Sequence, residues 1–251
     1  MFQIREEQMA VLEETALKNF EDWMVGHLRE HFPDPCQALG EAQVREVIRC
    51  GNERAEEYGL STRHEVCLYI DLMFMLGSGF DTDFQLPWAG SILRDDAITD
   101  PNERIETLYD RAMEYLDVVA PEETTHSPAF YRAARKLTCK GMRLRLEGHL
   151  VGGLNRIISV LWPEKRGLME SADVHNLFSE ARREAESYGI TNGVDIGIFA
   201  VLMFSLGHRF DQDPIYPWAS EALADEEAES STEKMRNTFE AAKGYLEAVL
   251  D

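Results

Sequence analysis

The amino-acid sequence predicts an all-α protein made of two tandem homologous helical repeats packed as a pseudo-twofold pair. Two observations carry this. The chain matches itself at a fixed offset of 130 positions, and its apolar residues recur at helical spacing, with no stretch showing the strict alternation of a half-buried strand. The self-match is clearest where Leu72-Met73-Phe74-Met75-Leu76-Gly77 meets Leu202-Met203-Phe204-Ser205-Leu206-Gly207. Over residues 71–89 and 201–219, 11 of 19 positions are identical. The same offset aligns Phe32-Pro33 with Trp162-Pro163, Tyr58-Gly59 with Tyr188-Gly189, and Tyr115-Leu116 with Tyr245-Leu246. Residues 1–120 form the first repeat, 121–127 a linker and 128–251 the second repeat.

Each element follows from local signals. Met9, Leu12, Ala16, Phe20, Trp23, Val25 and Leu28 lie close to a 3.6-residue period, which predicts a helix over about 4–32 that Pro33 and Pro35 stop. A second helix over about 41–58 ends at Gly59. The third, about 62–76, opens with the capping box Thr62-x-x-Glu65 and is apolar nearly all round, so it is the expected central helix. Pro87-Trp88 opens a short helix, and Asp100-Pro101 opens a last one over about 101–119. In the second repeat one long helix is expected to start at Ser127-Pro128. Gly189 ends the next, and Ser230-x-x-Glu233 caps the last. Gly148, Gly152 and Gly153 are placed inside that long helix, where they point to a close helix crossing.

Composition narrows the function classes. The formal net charge is −21, from 25 basic and 46 acidic side chains. Such a field repels nucleic acid and anionic membrane and favours a cationic partner or a solvated surface. Residues 1–120 carry a net −15 and residues 121–251 a net −6. Cys36, Cys50, Cys67 and Cys139 contain no CxxC pair, and reduced thiols in a bacterial cytoplasm are the expectation. The N-terminus lacks the charged and apolar regions of a signal peptide, and no apolar stretch is long enough to span a membrane.

Three segments carry candidate chemistry. Both repeats keep a loop, with Phe80, Asp81, Asp83 and Trp88 in the first and Phe210, Asp211, Asp213 and Trp218 in the second. An Asp-x-Asp pair suits a hard cation, but the remaining ligands of a calcium loop are missing. The structural reading is that the aspartates accept backbone hydrogen bonds in a turn while the aromatic rings plug the core. His27, Glu30 and His31 match H-x-x-E-H, the helical spacing of inverted zinc peptidases, and so keep a metal-dependent hydrolase as the alternative. A solvated helix end with a cationic last turn accounts for the same residues, so no metal or other cofactor is assigned. Arg132, Lys136, Lys140 and Arg143 form a basic stripe on a predicted helix. It either binds a partner or pairs with Glu6, Glu7, Glu13 and Glu14 of the first repeat.

The strings EEQM, NFEDWMVGHLREHFP, VREVIRCGNERAEEYGL, LMFMLGSGFDTD and LPWA of the first repeat resemble a family of small bacterial proteins encoded beside type VI secretion spike and effector genes. The resemblance covers roughly residues 4–95 closely and the second repeat as a diverged copy. It implies an adaptor, chaperone or immunity role and brings no catalytic residues. The expected function is therefore a non-enzymatic protein-binding accessory, whose partner is a secretion effector or spike component and neither nucleic acid nor membrane.

Overall fold

The helices begin where the sequence supplies acceptors for their unpaired N–H groups. Thr62 Oγ1 accepts from the Glu65 N–H at 3.3 Å, and Glu65 Oε2 accepts from the Thr62 N–H at 2.9 Å, which completes the capping box. Asp100 accepts from the Asn102 N–H at 3.1 Å, ahead of Pro101 at the first helical position. Asn192 does the same for Val194 at 2.8 Å, and Ser230 for Glu233 at 3.2 Å. The computed structural model describes the backbone of residues 6–120 and 129–250 and the side chains of 15–120 and 133–249. The predicted linker 121–127 and the start at Ser127-Pro128 lie outside the described residues.

The first repeat runs α1 (Glu6–His31), α2 (Pro33–Glu57), α3 (Arg63–Leu76), a 3-10 turn (Phe80–Thr82), α4 (Pro87–Leu93) and α5 (Pro101–Val119). The second runs α6 (Ala129–Lys136), α7 (Cys139–Leu146), α8 (Leu150–Leu161), α9 (Pro163–Gly167), α10 (Ser171–Ser187), α11 (Gly193–Leu206), a 3-10 turn (Phe210–Gln212), α12 (Pro217–Ala224) and α13 (Ser231–Leu250). There is no strand among the described residues. No helix among them is long and apolar enough to cross a membrane.

One expectation is met with an addition and another needs correction. Helix α2 is broken at Gly40, whose φ of 75° and ψ of 160° are not helical, so its main part begins near residue 41 as expected, and a short helical segment opened by Pro33 precedes it. The single long helix of the second repeat is three helices. Thr138 accepts from the Gly141 N–H at 3.0 Å and starts α7 afresh. Gly148, at φ 82°, then turns the chain, and His149 Nδ1 caps α8 by accepting from the Gly152 N–H at 3.0 Å. The predicted close crossing exists, but between α7 and α8. A Cβ on Gly153 would lie 2.3 Å from the Arg145 carbonyl oxygen.

Helices α3 and α11 are the centres of two apolar clusters. Tyr69, Ile70, Leu72 and Met73 are fully buried in one, and Ile198, Phe199, Met203 and Phe204 in the other. Each side chain of this size stabilises by about 2 kcal/mol when fully buried. The clusters interdigitate. Ile215 of the second repeat belongs to the first cluster, Phe84 of the first packs on the second, and Trp162 touches both. Helix α13 also packs on α2, and α5 on α9.

Candidate functional site

The shared loops lie where the repeats meet. Gly77 and Gly207, with φ 95° and 101°, end α3 and α11. A Cβ on Gly77 would lie 2.9 Å from the Leu206 carbonyl oxygen, and one on Gly207 would lie 3.4 Å from that of Leu76. Only glycine combines that backbone with that approach. The aspartates then reach across. Asp83 Oδ1 accepts from the Gln85 N–H at 2.8 Å in its own loop, while Oδ2 accepts from the His208 N–H at 2.9 Å in the other. Asp213 Oδ1 accepts from the Ile215 N–H at 2.8 Å, and its Oδ2 from the Ser78 N–H at 2.8 Å. The four partners correspond at the 130-residue offset. Sequence reasoning expected all four aspartates to accept backbone hydrogen bonds in the turn; Asp83 and Asp213 do so, whereas Asp81 and Asp211 accept from side chains. It missed that the second oxygen of each pair serves the other repeat.

Asp81 and Asp211 point inward. Asp81 pairs with Arg54 and accepts from the Tyr58 and Tyr69 hydroxyls, both at 2.9 Å. Burial and the adjacent carboxylate push the Tyr58 phenol up to about 12. Asp211 keeps the tyrosine at the matching position, Tyr188, at 2.8 Å. Glu184 and Phe199 replace the arginine and second tyrosine, and Asp211 Oδ1 is buried without a partner. Phe80 and Phe210 plug the two cores, while Trp88 and Trp218 are half-buried beside Tyr115 and Tyr245. Apart from Asp211 Oδ1, the oxygens of these four carboxylates accept from donors of the chain itself.

The H-x-x-E-H residues divide. Glu30 is exposed, whereas His27 leans on α3. His27 Nε2 lies 3.0 and 3.1 Å from the Asp71 oxygens, and the Cys67 thiol donates to Asp71 Oδ2 at 3.9 Å. Trp23 stacks on His27, and Arg63 lies 3.6 Å over the Trp23 ring. Burial raises the Asp71 pKa, against the pull of His27 and His31, and burial beside Asp71 pushes the Cys67 thiol up to about 12. Among the described residues, His27, Cys67 and Asp71 are the group of side chains able to hold a metal ion. Sequence reasoning missed Cys67 and Asp71. Their signal was two polar residues one turn apart within an otherwise apolar helix.

The basic segment is split between α6 and α7, so its residues share no continuous helical stripe. Arg143 pairs with buried Asp195, which also accepts from the Thr232 hydroxyl at 2.8 Å. Lys136 and Lys140 are exposed, and the Arg132 side chain lies outside the described residues, as do those of Glu6, Glu7, Glu13 and Glu14.

Between the repeats lies a cavity of about 260 Å³ lined by Leu76, Tyr115, Leu161, Leu202, Leu206 and Lys165, among others. The Lys165 ammonium donates to the Phe204 carbonyl at 2.6 Å, and burial pulls its pKa down to about 8. The matching position in the first repeat is Pro35. Compared with protein-family models, curated proteins and solved structures, the chain matches none.

Proposed function

We propose that the chain is a non-enzymatic protein-binding accessory of adaptor, chaperone or immunity type, serving a type VI secretion effector or spike component. The observation that carries this reading is the uneven charge, a net −15 on residues 1–120 against −6 on the rest. Glu53, Glu57, Asp96, Glu103, Asp110 and Asp117 are exposed and have no ion pair among the described residues, so they remain for a cationic partner. Lys136 and Lys140 are the part of the basic segment left for a partner, since Arg143 is held by Asp195. The resemblance to proteins encoded beside secretion effectors gives the class of partner. The loops' exchange of hydrogen bonds at matching positions supports a pseudo-twofold pairing of the repeats.

Coexpression with the effector encoded beside it tests the proposal. A stoichiometric complex is expected, with an association rate that falls steeply as salt rises. Reversal of Glu57, Asp110 and Asp117 to lysine is expected to weaken it at least about tenfold, an electrostatic contribution of about 1.4 kcal/mol. Reversal of Lys136 and Lys140 to glutamate is expected to leave the melting temperature unchanged while reducing binding. Recovery of no stoichiometric partner, or a complex indifferent to all these reversals, removes the reading.

A further inference from the structure

We propose that His27, Cys67 and Asp71 bind a zinc ion, with His31 at the open side of the site. The residues come from two i,i+4 pairs on crossing helices, His27 and His31 on α1 and Cys67 and Asp71 on α3. Residues at this spacing share one helix face, so each pair presents both of its side chains to the side where the helices meet. One donor atom from each of His27, Cys67 and Asp71 lies within 4.8 Å of the other two. Zinc bonds of about 2.0–2.3 Å in a tetrahedron hold ligands roughly 3.3–3.8 Å apart, so only a small contraction separates the present arrangement from a coordinated one. The His31 ring centroid is 4.4 Å from that of His27, on the exposed side, while Cys67 and Asp71 are buried. That asymmetry leaves three protein ligands below and a fourth position facing solvent.

The second repeat supplies an independent comparison. At the matching positions it has Ile157, Leu161, Gly197 and Val201. Ile157 is fully buried there, and Leu161 and Val201 nearly so. The scaffold therefore closes with hydrocarbon at this place, and the four polar residues of the first repeat are not required by the fold. Imidazole, thiolate and carboxylate together suit zinc, whereas magnesium and calcium require an all-oxygen shell. Binding releases the Cys67 proton to solvent and leaves the ion held by a thiolate, a carboxylate and a neutral imidazole.

Titration of the full chain, reduced, with Co²⁺ alone and then Zn²⁺ alone tests this. The expected result is one equivalent of cobalt with the visible bands of a tetrahedral site, a thiolate charge-transfer band in the near ultraviolet, and displacement of both by zinc. Cys67→Ala is expected to abolish the charge-transfer band, while Cys50→Ala retains it. Asp71→Asn removes a charged ligand and is expected to weaken zinc binding by more than the roughly tenfold that loss of an outer-shell partner costs. Should Cys67→Ala fail to fold, the unaltered chain still decides. Absence of a thiolate band at one equivalent of cobalt overturns the proposal, as does zinc binding that a folded Cys67→Ala chain retains in full. The same readouts are blind to whether any effector binds, so they are independent of the accessory role.

Discussion

Asp213 shows how much one carboxylate can be asked to do. It is buried at the junction, accepts one backbone N–H from each repeat, and burial pushes its pKa up to about 6 from 3.8. A carboxyl with a folded pKa above its unfolded value keeps, in the folded chain, a proton that the unfolded chain has released. Stability from this group is therefore fully present below about pH 4 and falls as pH rises toward about 6, by about 1.4 kcal/mol per pH unit crossed. Arg54 opposes the effect from the first repeat. Denaturant unfolding of the chain and of Asp213→Asn across that window is expected to give curves whose separation changes by about 2–3 kcal/mol. Parallel curves would place the titration elsewhere. The position was legible in the sequence as one of a repeated Asp-x-Asp pair. Its reach into the other repeat was not, because a sequence offset reveals common ancestry and says nothing about contact.

At the scale of elements, helix starts marked by a capping box or by a proline after the acceptor were readable, and the side-chain-capped starts of α7 and α8 inside a continuous apolar pattern were not. Thr62, Asp100 and Ser230 start helices as their chemistry requires. The break at Leu137-Thr138 was hidden because Thr138 is equally acceptable inside a helix or at its cap, and only the fold of α7 back on α8 decides. That fold depends on Gly153, whose missing Cβ makes room for the backbone at Arg145 and Leu146. Gly153→Ala is expected to destabilise by about 2 kcal/mol or more, whereas Gly244→Ala, which meets nothing within 4 Å, should stabilise slightly by improved helix propensity. Thermal melts followed by circular dichroism would check both. Equal effects would mean that α7 yields easily. The H-x-x-E-H spacing was readable from α1 alone, whereas Asp71 and Cys67, which stand beside His27, come from α3 and were not.

For the molecule as a whole, the interdigitated cores and the exchanged loop bonds predict a single unfolding unit. Ile215 and Phe84 each leave their own repeat to complete the other, and Trp162 donates its indole N–H to the Val119 carbonyl at 2.7 Å. Calorimetry is expected to show one transition whose van 't Hoff and calorimetric enthalpies agree, and residues 1–120 alone should not form a stable folded monomer. Two resolved transitions would show the repeats to be independent. The all-helical class and the repeat were plain in the sequence because periodicity and self-similarity are local properties. Lys165 was not singled out, since a lysine between Glu164 and Arg166 reads as surface until the fold closes over it.

The exchanged bonds of Asp83 and Asp213 bear on how such a chain changes over time. In an assembly of two identical subunits every substitution appears twice, once on each side of the junction. Here the two sides are encoded separately, so a residue can be altered in one half while the other holds the joint. Arg54 and Tyr69 around Asp81, against Glu184 and Phe199 around Asp211, record that freedom. So do His27, Cys67 and Asp71 against Ile157, Gly197 and Val201. The duplicated loop is the hinge pin that lets one leaf be refitted while the door still hangs.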